Sequence, residues 1–314
     1  MESLKLSFEA IAPIFLMMLL GYCLKKLRFA DKQNFDVINN IVFKIFLPVL
    51  LFYNIYKTET ANIIDTKLIV FLIGAILTVF ILGYFAAIRI TPQNSKRGVI
   101  LQGIFRSNYA ILGVPLVGYI CGPGSGAVSS LMVAVVVPVF NVLAVVALER
   151  FRGKDTKLNV LKLFKGVITN PLIIGSLAGL VFFLLNIKLP SVIEKSVKDI
   201  SALSTPLALI VLGSNFEFSQ IRGYAKEITI LVLSRLVIVP LITVPVAIAL
   251  GFSGEALACI LITFASPIAV SSYAMAKQMN GDETLAGQAV VITSALCLLT
   301  LFIWIFAISS LGYF

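Results

Sequence analysis

Long apolar runs recur along this 314-residue chain and restrict it to very few folds. Hydrophobic residues make up 59% of the sequence and charged residues only 13%, whereas a soluble domain carries about 25% charged residues. Runs of about 20 apolar residues are long enough to cross a bilayer as helices, and a helix satisfies its own backbone hydrogen bonds in lipid. The composition therefore predicts an all-α membrane protein with the lipid bilayer as its surroundings.

The apolar runs predict ten transmembrane helices. The first run ends in Lys25 and Lys26 without a small-residue cleavage pattern, so we expect it to be retained as a span rather than removed as a signal peptide. The ten predicted spans are residues 7–25, 34–54, 67–89, 98–120, 126–149, 165–187, 196–216, 227–250, 255–277 and 284–312.

Basic residues are concentrated in alternate connections between the predicted spans, most densely in residues 150–165. Because lysine and arginine favour cytoplasmic loops, this distribution predicts that both termini lie outside the cytoplasm. It also accounts for the formal net charge of +10 as an orientation signal, so we expect no nucleic-acid partner.

The basic connection at residues 150–165 divides the predicted spans into two sets of five. Because five is odd, the second set enters the membrane with the opposite orientation, as in the inverted repeats of secondary transporters. Corresponding spans of the two sets carry prolines at similar intervals, among them Pro115 and Pro267. We therefore predict two inverted five-helix repeats, residues 1–152 and 153–314.

Pro115 and Pro267 lie within the fourth and ninth predicted spans. A proline in a helix leaves a carbonyl without its partner and clashes with the preceding turn, and a matched pair of interrupted spans indicates the binding site of a secondary transporter. We predict that helices 4 and 9 are broken and cross, so that half-helix N-termini favour an anion; a simple kink is the alternative. The small and polar residues beside the prolines complete this part of the predicted substrate site: Ser107, Tyr109, Gly113, Ser266 and Ser271.

Three cations, Lys44, Arg106 and Arg235, lie within predicted spans. An arginine near the bilayer centre costs about 2.5–3.5 kcal/mol on insertion scales. Arg106 and Lys44 are candidate partners for an anionic substrate, with snorkelling to the headgroups or a tie to a freed carbonyl as alternatives; for Arg235 the structural interpretation is favoured. No acidic residue is securely central in a predicted span, which favours an anion over a cation, although carbonyls and hydroxyls can still bind sodium.

The asparagines Asn54, Asn108 and Asn141 are further candidate substrate ligands, because an amide can donate to a carboxylate oxygen and also accept. An interhelical hydrogen bond, worth about 0.6 kcal/mol, is the alternative for most asparagines in spans. Asn108 is the strongest candidate because it shares a predicted broken span with Arg106 and Pro115.

The sequence offers no pattern for a metal, a cofactor or a catalytic centre. It has no histidine, and its four cysteines are widely spaced in or beside apolar runs. It also lacks a recognisable nucleophile–base pair or phosphate-binding loop. We therefore predict no enzymatic activity, no cofactor and no bound metal.

The chain resembles the auxin efflux carrier family, which includes plant auxin exporters and bacterial malonate or malate permease-like proteins. The resemblance covers essentially the whole chain. Its motifs are Arg106-Ser-Asn108-x4-Gly113-x-Pro115-Leu in span four, Ala265-Ser-Pro267 in span nine and Leu203-Ser-Thr-Pro206-Leu-Ala-Leu-Ile-Val-Leu-Gly213 in span seven.

The resemblance implies a fold shared with bile-acid/sodium symporters and sodium/proton antiporters, in a multi-pass protein of the bacterial inner membrane. It implies a scaffold of spans 1, 2, 6 and 7, often dimeric, and a transport domain of spans 3–5 and 8–10 that moves like an elevator. It also assigns the crossover prolines to Pro115 and Pro267 and the polar residue of span four to Asn108. The short central loop departs from the long regulated loop of many plant exporters, which argues against auxin as the substrate.

Together these observations predict a secondary transporter of small organic anions, chiefly carboxylates, that works by alternating access and forms a homodimer. Two alternatives remain open at this point. One is a sodium-coupled symporter of the bile-acid type, and the other is a sensor that binds a ligand on the same fold without transporting it.

Overall fold

The structure is a computed structural model that describes residues 2–58, 66–122, 127–152 and 160–314. Over these residues the regular secondary structure consists of helices together with one isolated β-bridge. The helices in chain order are α1 (Glu2–Lys26), α2 (Lys32–Tyr56), α3 (Thr66–Ile90), α4 (Asn94–Phe105), α5 (Tyr109–Cys121), α6 (Ala127–Arg150), α7 (Val160–Ile168), α8 (Pro171–Leu184), α9 (Ser191–Ser214), α10 (225–249), α11 (Gly254–Ala265), α12 (Ser271–Gln278) and α13 (Glu283–Ser310).

The prediction of an all-helical membrane protein is confirmed. Within the described residues, six helices are long and apolar enough to cross a bilayer, namely α2, α3, α6, α9, α10 and α13, and shorter apolar helices accompany them. The predicted run 67–89 is helix Thr66–Ile90, whereas the runs 98–120, 165–187 and 255–277 are each divided between two helices. The inverted repeats remain a prediction, and residues 153–159, where their boundary was placed, lie outside the described part of the chain.

Local sequence explains several helix boundaries. Asp31 and Asp282 precede α2 and α13, and each side chain accepts a hydrogen bond from a backbone N–H in the first turn of its helix. Asn170 does the same for α8, whose first residue is Pro171, because a proline there lacks only an N–H that the helix does not need. Helices α2 and α10 each contain a π-helical segment, at Val42–Phe46 and Ser234–Ile238.

Close backbone contact at glycines joins two helix pairs. A Cβ atom added at Gly213 of α9 would lie 1.9 Å from the carbonyl oxygen of Met18 on α1, and one added at Gly21 would lie 1.9 Å from that of Ile210. An added Cβ at Gly175 of α8 would likewise lie 2.4 Å from the Pro48 oxygen on α2. Small residues therefore set the spacing of these helices, as they commonly do in membranes.

The helix contacts distinguish two groups, which also contact each other through α1 and α13 and through α6 and α8. Helix α1 packs on α9, and α2 packs on α8 and α9; we call α1, α2, α8 and α9 the first helix group. Helices α3–α6 and α10–α13 form the second helix group, in which α4 packs on α3 and α6, and α11 packs on α5 and α10. Whether these groups move as a scaffold and a transport domain remains a prediction.

Two helix pairs in the second group are broken. Helix α11 ends at Ala265 and α12 begins at Ser271, so Pro267 lies in the break as predicted. The other break lies at 106–108, between α4 and α5, whereas Pro115 lies within the backbone of α5. The prediction that Pro115 marks the break was therefore wrong in position. A proline removes one hydrogen bond from a helix and can be accommodated as a kink.

Candidate functional site at the helix crossover

The two breaks lie against each other, and we call residues 106–108 together with 266–270 the helix crossover. Ser107 and Ile268 form an antiparallel β-bridge, and the backbone N–H of Asn108 donates to the carbonyl oxygen of Pro267 over 2.9 Å. The backbone of each break thus provides hydrogen-bond partners for some of the backbone groups in the other break. This arrangement explains how unwound backbone persists inside a membrane protein.

Four half-helix ends meet at the crossover. The N-termini of α5 and α12 begin after Asn108 and Val270, and neither of these residues makes a side-chain cap hydrogen bond. Each N-terminus carries roughly half a positive charge on its free N–H groups, and each C-terminus carries roughly half a negative charge. Uncapped N-termini are suited to bind an anion.

Arg235 occupies the C-terminal side of the crossover and is completely buried. Its guanidinium donates to the carbonyl oxygens of Ser266 at 2.9 Å, Phe105 at 3.1 Å and Thr263 at 2.5 Å. These carbonyls belong to the ends of α4 and α11. The contacts are structural, of the kind that the sequence favoured for this residue, and they compensate the negative ends of two half-helices.

Arg106 lies in the first break and is 3% exposed. Its Nη2 donates to Asn141 Oδ1 at 2.6 Å and to Ser271 Oγ at 2.9 Å. Its Nη1 lies 3.3 Å from Gln102 Oε1 and 2.6 Å from Met275 Sδ. All four partners are neutral, so hydrogen bonds satisfy the guanidinium while no carboxylate among these partners neutralises its charge.

Arg106 connects helices of both groups through Asn141. Asn141 lies on α6 and is fully buried, and its Nδ2 is 3.4 Å from Ser176 Oγ on α8. Gln102, one turn before Arg106, also donates to the Ser272 carbonyl at 3.2 Å. The predicted residues Arg106, Asn141 and Ser271 therefore form one hydrogen-bonded cluster beside the crossover.

Several buried polar atoms near the crossover have no hydrogen-bond partner among the described residues. A buried donor or acceptor left without a partner costs about 1–3 kcal/mol, so these atoms indicate a place that a ligand, an ion or water can occupy. The atoms in or next to the two breaks are Ser107 Oγ, Asn108 Nδ2, Ser266 Oγ and Ser272 Oγ. Ser294 Oγ on α13 also has no hydrogen-bond partner among the described residues. The hydroxyl of the neighbouring Thr293 accepts a hydrogen bond from the Ile268 N–H at 3.3 Å.

Other predicted site residues lie elsewhere or serve packing. The Tyr109 hydroxyl is directed to Ser129 on α6, at 3.0 Å from its Oγ, and Gly113 leaves room for the Tyr109 ring, because an added Cβ would lie 2.9 Å from it. Lys44 is exposed in the π-helical segment of α2. Asn54 is half-buried near the end of α2, where its carbonyl accepts from Thr58. The side chain of Pro115 lies outside the described residues.

The structure also adds residues that the sequence analysis did not select. Gln102, Ser272 and Met275 contact Arg106 or lie in the same cluster. Gln102 and Met275 could have been found by helical spacing, since Gln102 precedes Arg106 by one turn and Met275 follows Ser271 by one turn. Ser294 carries no such signal, because its span has no break or charge nearby. The adjacent Thr293 contacts the crossover at Ile268 only through the packing of α13.

Paired helix breaks inside a bundle of apolar helices, with arginines buried beside them, are features of a membrane transport protein. The model of the family described as "Membrane transport protein" matches residues 6–305. The chain belongs to this family of transporters, and the resemblance to the auxin efflux carrier family is confirmed.

Curated relatives are consistent with this assignment. An uncharacterized transporter from Methanothermobacter thermautotrophicus is 24% identical over 301 residues, which cover 95% of this chain and 97% of the relative. The uncharacterized transporter YfdV from Escherichia coli is 23% identical and covers 86% of this chain and 87% of its own. The lysosomal cholesterol signaling protein of Mus musculus is 25% identical over 75% of this chain, which corresponds to only 29% of that relative.

Proposed function

We propose that this chain is a secondary transporter of small organic anions, chiefly carboxylates, and that the anion binds at the helix crossover. The observation that carries the proposal is Arg106, a buried guanidinium whose hydrogen-bond partners are all neutral. A buried charge without an opposite charge is costly. A carboxylate bound beside Arg106 would supply the missing negative charge.

The distribution of charge around the crossover supports an anion on one particular side. The two helix C-termini together carry roughly one negative charge, and Arg235 donates to both of them. The two N-termini carry roughly one positive charge, and Arg106 reaches one of them through Ser271. The N-terminal side is therefore strongly positive, and Asn108 Nδ2 offers a free donor there.

In this proposal the anion is exposed to the two sides of the membrane in turn, by an elevator-like movement of the second helix group against the first. Asn141 supports such coupling, because it joins the Arg106 cluster of the second group to Ser176 of the first. The bilayer and the small organic anion are the principal partners, and a homodimer formed through the first group completes the proposal.

A thermal-shift screen followed by counterflow tests the proposal. Purified protein is heated with short mono- and dicarboxylates and with matched alkylammonium cations, because a ligand stabilises the state it binds. We expect saturable stabilisation by an acid, counterflow of that acid in proteoliposomes, and loss of both in Arg106→Gln but not in Arg89→Gln, whose parent arginine is exposed on α3. Wild-type behaviour of Arg106→Gln would remove Arg106 from the site.

A second candidate is sodium-coupled transport at the same crossover. It is favoured by the hydroxyls of Ser107, Ser266 and Ser272, which have no partner among the described residues, because sodium is bound by oxygen atoms of this kind. Replacing sodium with potassium in the counterflow assay decides between the two: a loss of transport supports coupling, and unchanged transport excludes it. Binding of an acid without any counterflow would instead support a ligand sensor.

A further inference from the structure

Lys277 lies at the far end of α12 from the crossover and makes a separate cluster of charges. Its ammonium contacts Asp36 Oδ1 and lies 3.3 Å from Glu283 Oε2 and 3.4 Å from the Tyr273 hydroxyl. The lysine side chain is only 11% exposed, whereas the two carboxylate side chains are 41% and 37% exposed. One lysine is therefore shared between two acids at the edge of the protein.

The two acids belong to different helix groups. Asp36 lies on α2 of the first group, whereas Glu283 lies in the first turn of α13 and belongs, like Lys277, to the second. Ser271 at the start of α12 contacts Arg106, and Lys277 follows it by about 9 Å along the helix axis. Helix α12 thus has the candidate substrate site at one end and a contact with the first group at the other.

We propose that the ion pair between Lys277 and Asp36 is a latch that holds the two helix groups together on one side of the membrane and opens during each transport cycle. The role in the cycle rests on the proposed function. Glu283 lowers the free energy needed for opening. It belongs to the same helix group as Lys277 and therefore still pairs with the ammonium when Asp36 moves away. Removing the sole partner of a largely buried charge is strongly destabilising, and Glu283 remains as a partner of Lys277.

The surroundings of the latch are consistent with an interface that separates. A polar cavity of about 90 Å³ lies there between the groups and is lined by Lys25 and Lys32 of the first and by Tyr273 and Glu283 of the second. Two further polar contacts lie at this end, since Gln288 donates to the Glu217 carbonyl at 2.9 Å and Lys25 Nζ lies 3.7 Å from Glu217 Oε1. Packing of α1 on α13 and the Asn141–Ser176 contact also cross between the groups, so the latch is one of several contacts that must change.

Hydrogen–deuterium exchange tests the latch without reference to transport. Asp36→Asn removes the contact between the groups, and Glu283→Gln is the matched control that removes a contact within one group. We expect faster exchange in α2 and α12 in Asp36→Asn and wild-type exchange in α2 in Glu283→Gln. Equal effects of the two variants would overturn the latch, whether or not any acid is transported.

Reversible cross-linking tests its opening. In the double variant Asp36→Cys with Lys277→Cys, a short, reducible bifunctional thiol reagent joins the two cysteines. The reagent is needed because two cysteine side chains are too short to span the distance that the aspartate and the lysine cover. We expect counterflow to fall by about tenfold on cross-linking and to return on reduction, as for other gated motions. Lys277→Cys with Glu283→Cys, joined within one group, should keep its rate, and treated wild-type protein controls for the native cysteines.

The outcomes separate the two proposals. Counterflow that continues in the cross-linked Asp36–Lys277 pair would show that the contact does not open and would overturn the latch. Wild-type protein that transports none of the acids would contradict the proposed function, while the exchange experiment still decides whether Lys277 and Asp36 hold the helix groups together.

Discussion

Asn108 and Pro267 are joined by a hydrogen bond of 2.9 Å from the backbone N–H of the first to the carbonyl of the second. The two residues are far apart in the sequence, yet each lies within a helix break. Unwound backbone in a membrane protein must find partners within the protein, and here the two breaks satisfy each other in part. The crossover is therefore a single structural unit, and a change in one break should affect the other.

Replacement of the two prolines should have unequal effects. Pro267 disfavours a helical conformation at Ser266, which is extended at φ −70° and ψ 155°, whereas Pro115 lies within α5. We expect Pro267→Ala to reduce anion counterflow much more than Pro115→Ala, because only Pro267 keeps a break open. Equal losses in counterflow assays of the two folded variants would contradict this account.

Asn141→Asp should place an acid against Arg106, since the Asn141 oxygen is already 2.6 Å from its guanidinium. The new carboxylate supplies the opposite charge that we assign to the substrate. We therefore expect the ligand-free protein to melt at a higher temperature and the affinity for the anion to fall by about tenfold, or 1.4 kcal/mol. Thermal-shift titrations measure both quantities.

Asn54→Asp is the matched control for that experiment, because Asn54 is an amide of the same kind that lies near the end of α2. It should leave the affinity for the anion unchanged. A weaker affinity in both variants would indicate a general effect of added negative charge rather than competition at Arg106.

Arg235→Gln should destabilise the protein whether or not a ligand is present. The substitution leaves carbonyls of Phe105, Thr263 and Ser266 without their donor, and each buried group without a partner costs about 1–3 kcal/mol. We expect a lower melting temperature and poor recovery of monodisperse protein in detergent. Arg89→Gln, at an exposed position, should melt like the wild type, and stable Arg235→Gln protein would show that these bonds are dispensable.

Gly213→Ala should weaken the contact between α1 and α9. The added methyl would lie 1.9 Å from the Met18 carbonyl oxygen, so the helix backbones must separate, and overpacking of this kind costs about 1–3 kcal/mol. Gly74→Ala is the control on α3, where an added Cβ meets nothing within 4 Å, and alanine favours a helix over glycine. Melting temperatures should fall for the first variant and stay or rise for the second.

The helices could be predicted well because membrane thickness and apolar length determine them. The position of the first helix break could not be predicted from the sequence. A proline such as Pro115 signals a disturbed helix, but the observed break at 106–108 is paired with Ile268 from another part of the chain. Such a long-range partner leaves no trace in the local sequence, and the proline itself is tolerated in α5.

Candidate site residues that are polar or charged within apolar runs could be predicted from the sequence. Residues that only tertiary packing brings to the site could not. Arg106, Asn141 and Ser271 were all selected as polar residues in apolar runs, and they lie together. Lys44 was selected by the same reasoning but faces outward, because depth along a span says nothing about which face of the helix is buried. Thr293 reaches Ile268 in the crossover from an apolar span without a break, and only the packing of α13 reveals it.

Arg235 has one further consequence. It comes from α10 alone and donates to carbonyl oxygens at the ends of both α4 and α11, so a donor within the protein already occupies these carbonyls. By contrast, Asn108 Nδ2 at the start of α5 has no partner among the described residues. The ends of the crossing half-helices are therefore unlike, because a single side chain satisfies carbonyls at the two C-terminal ends and leaves the N-terminal ends to other partners.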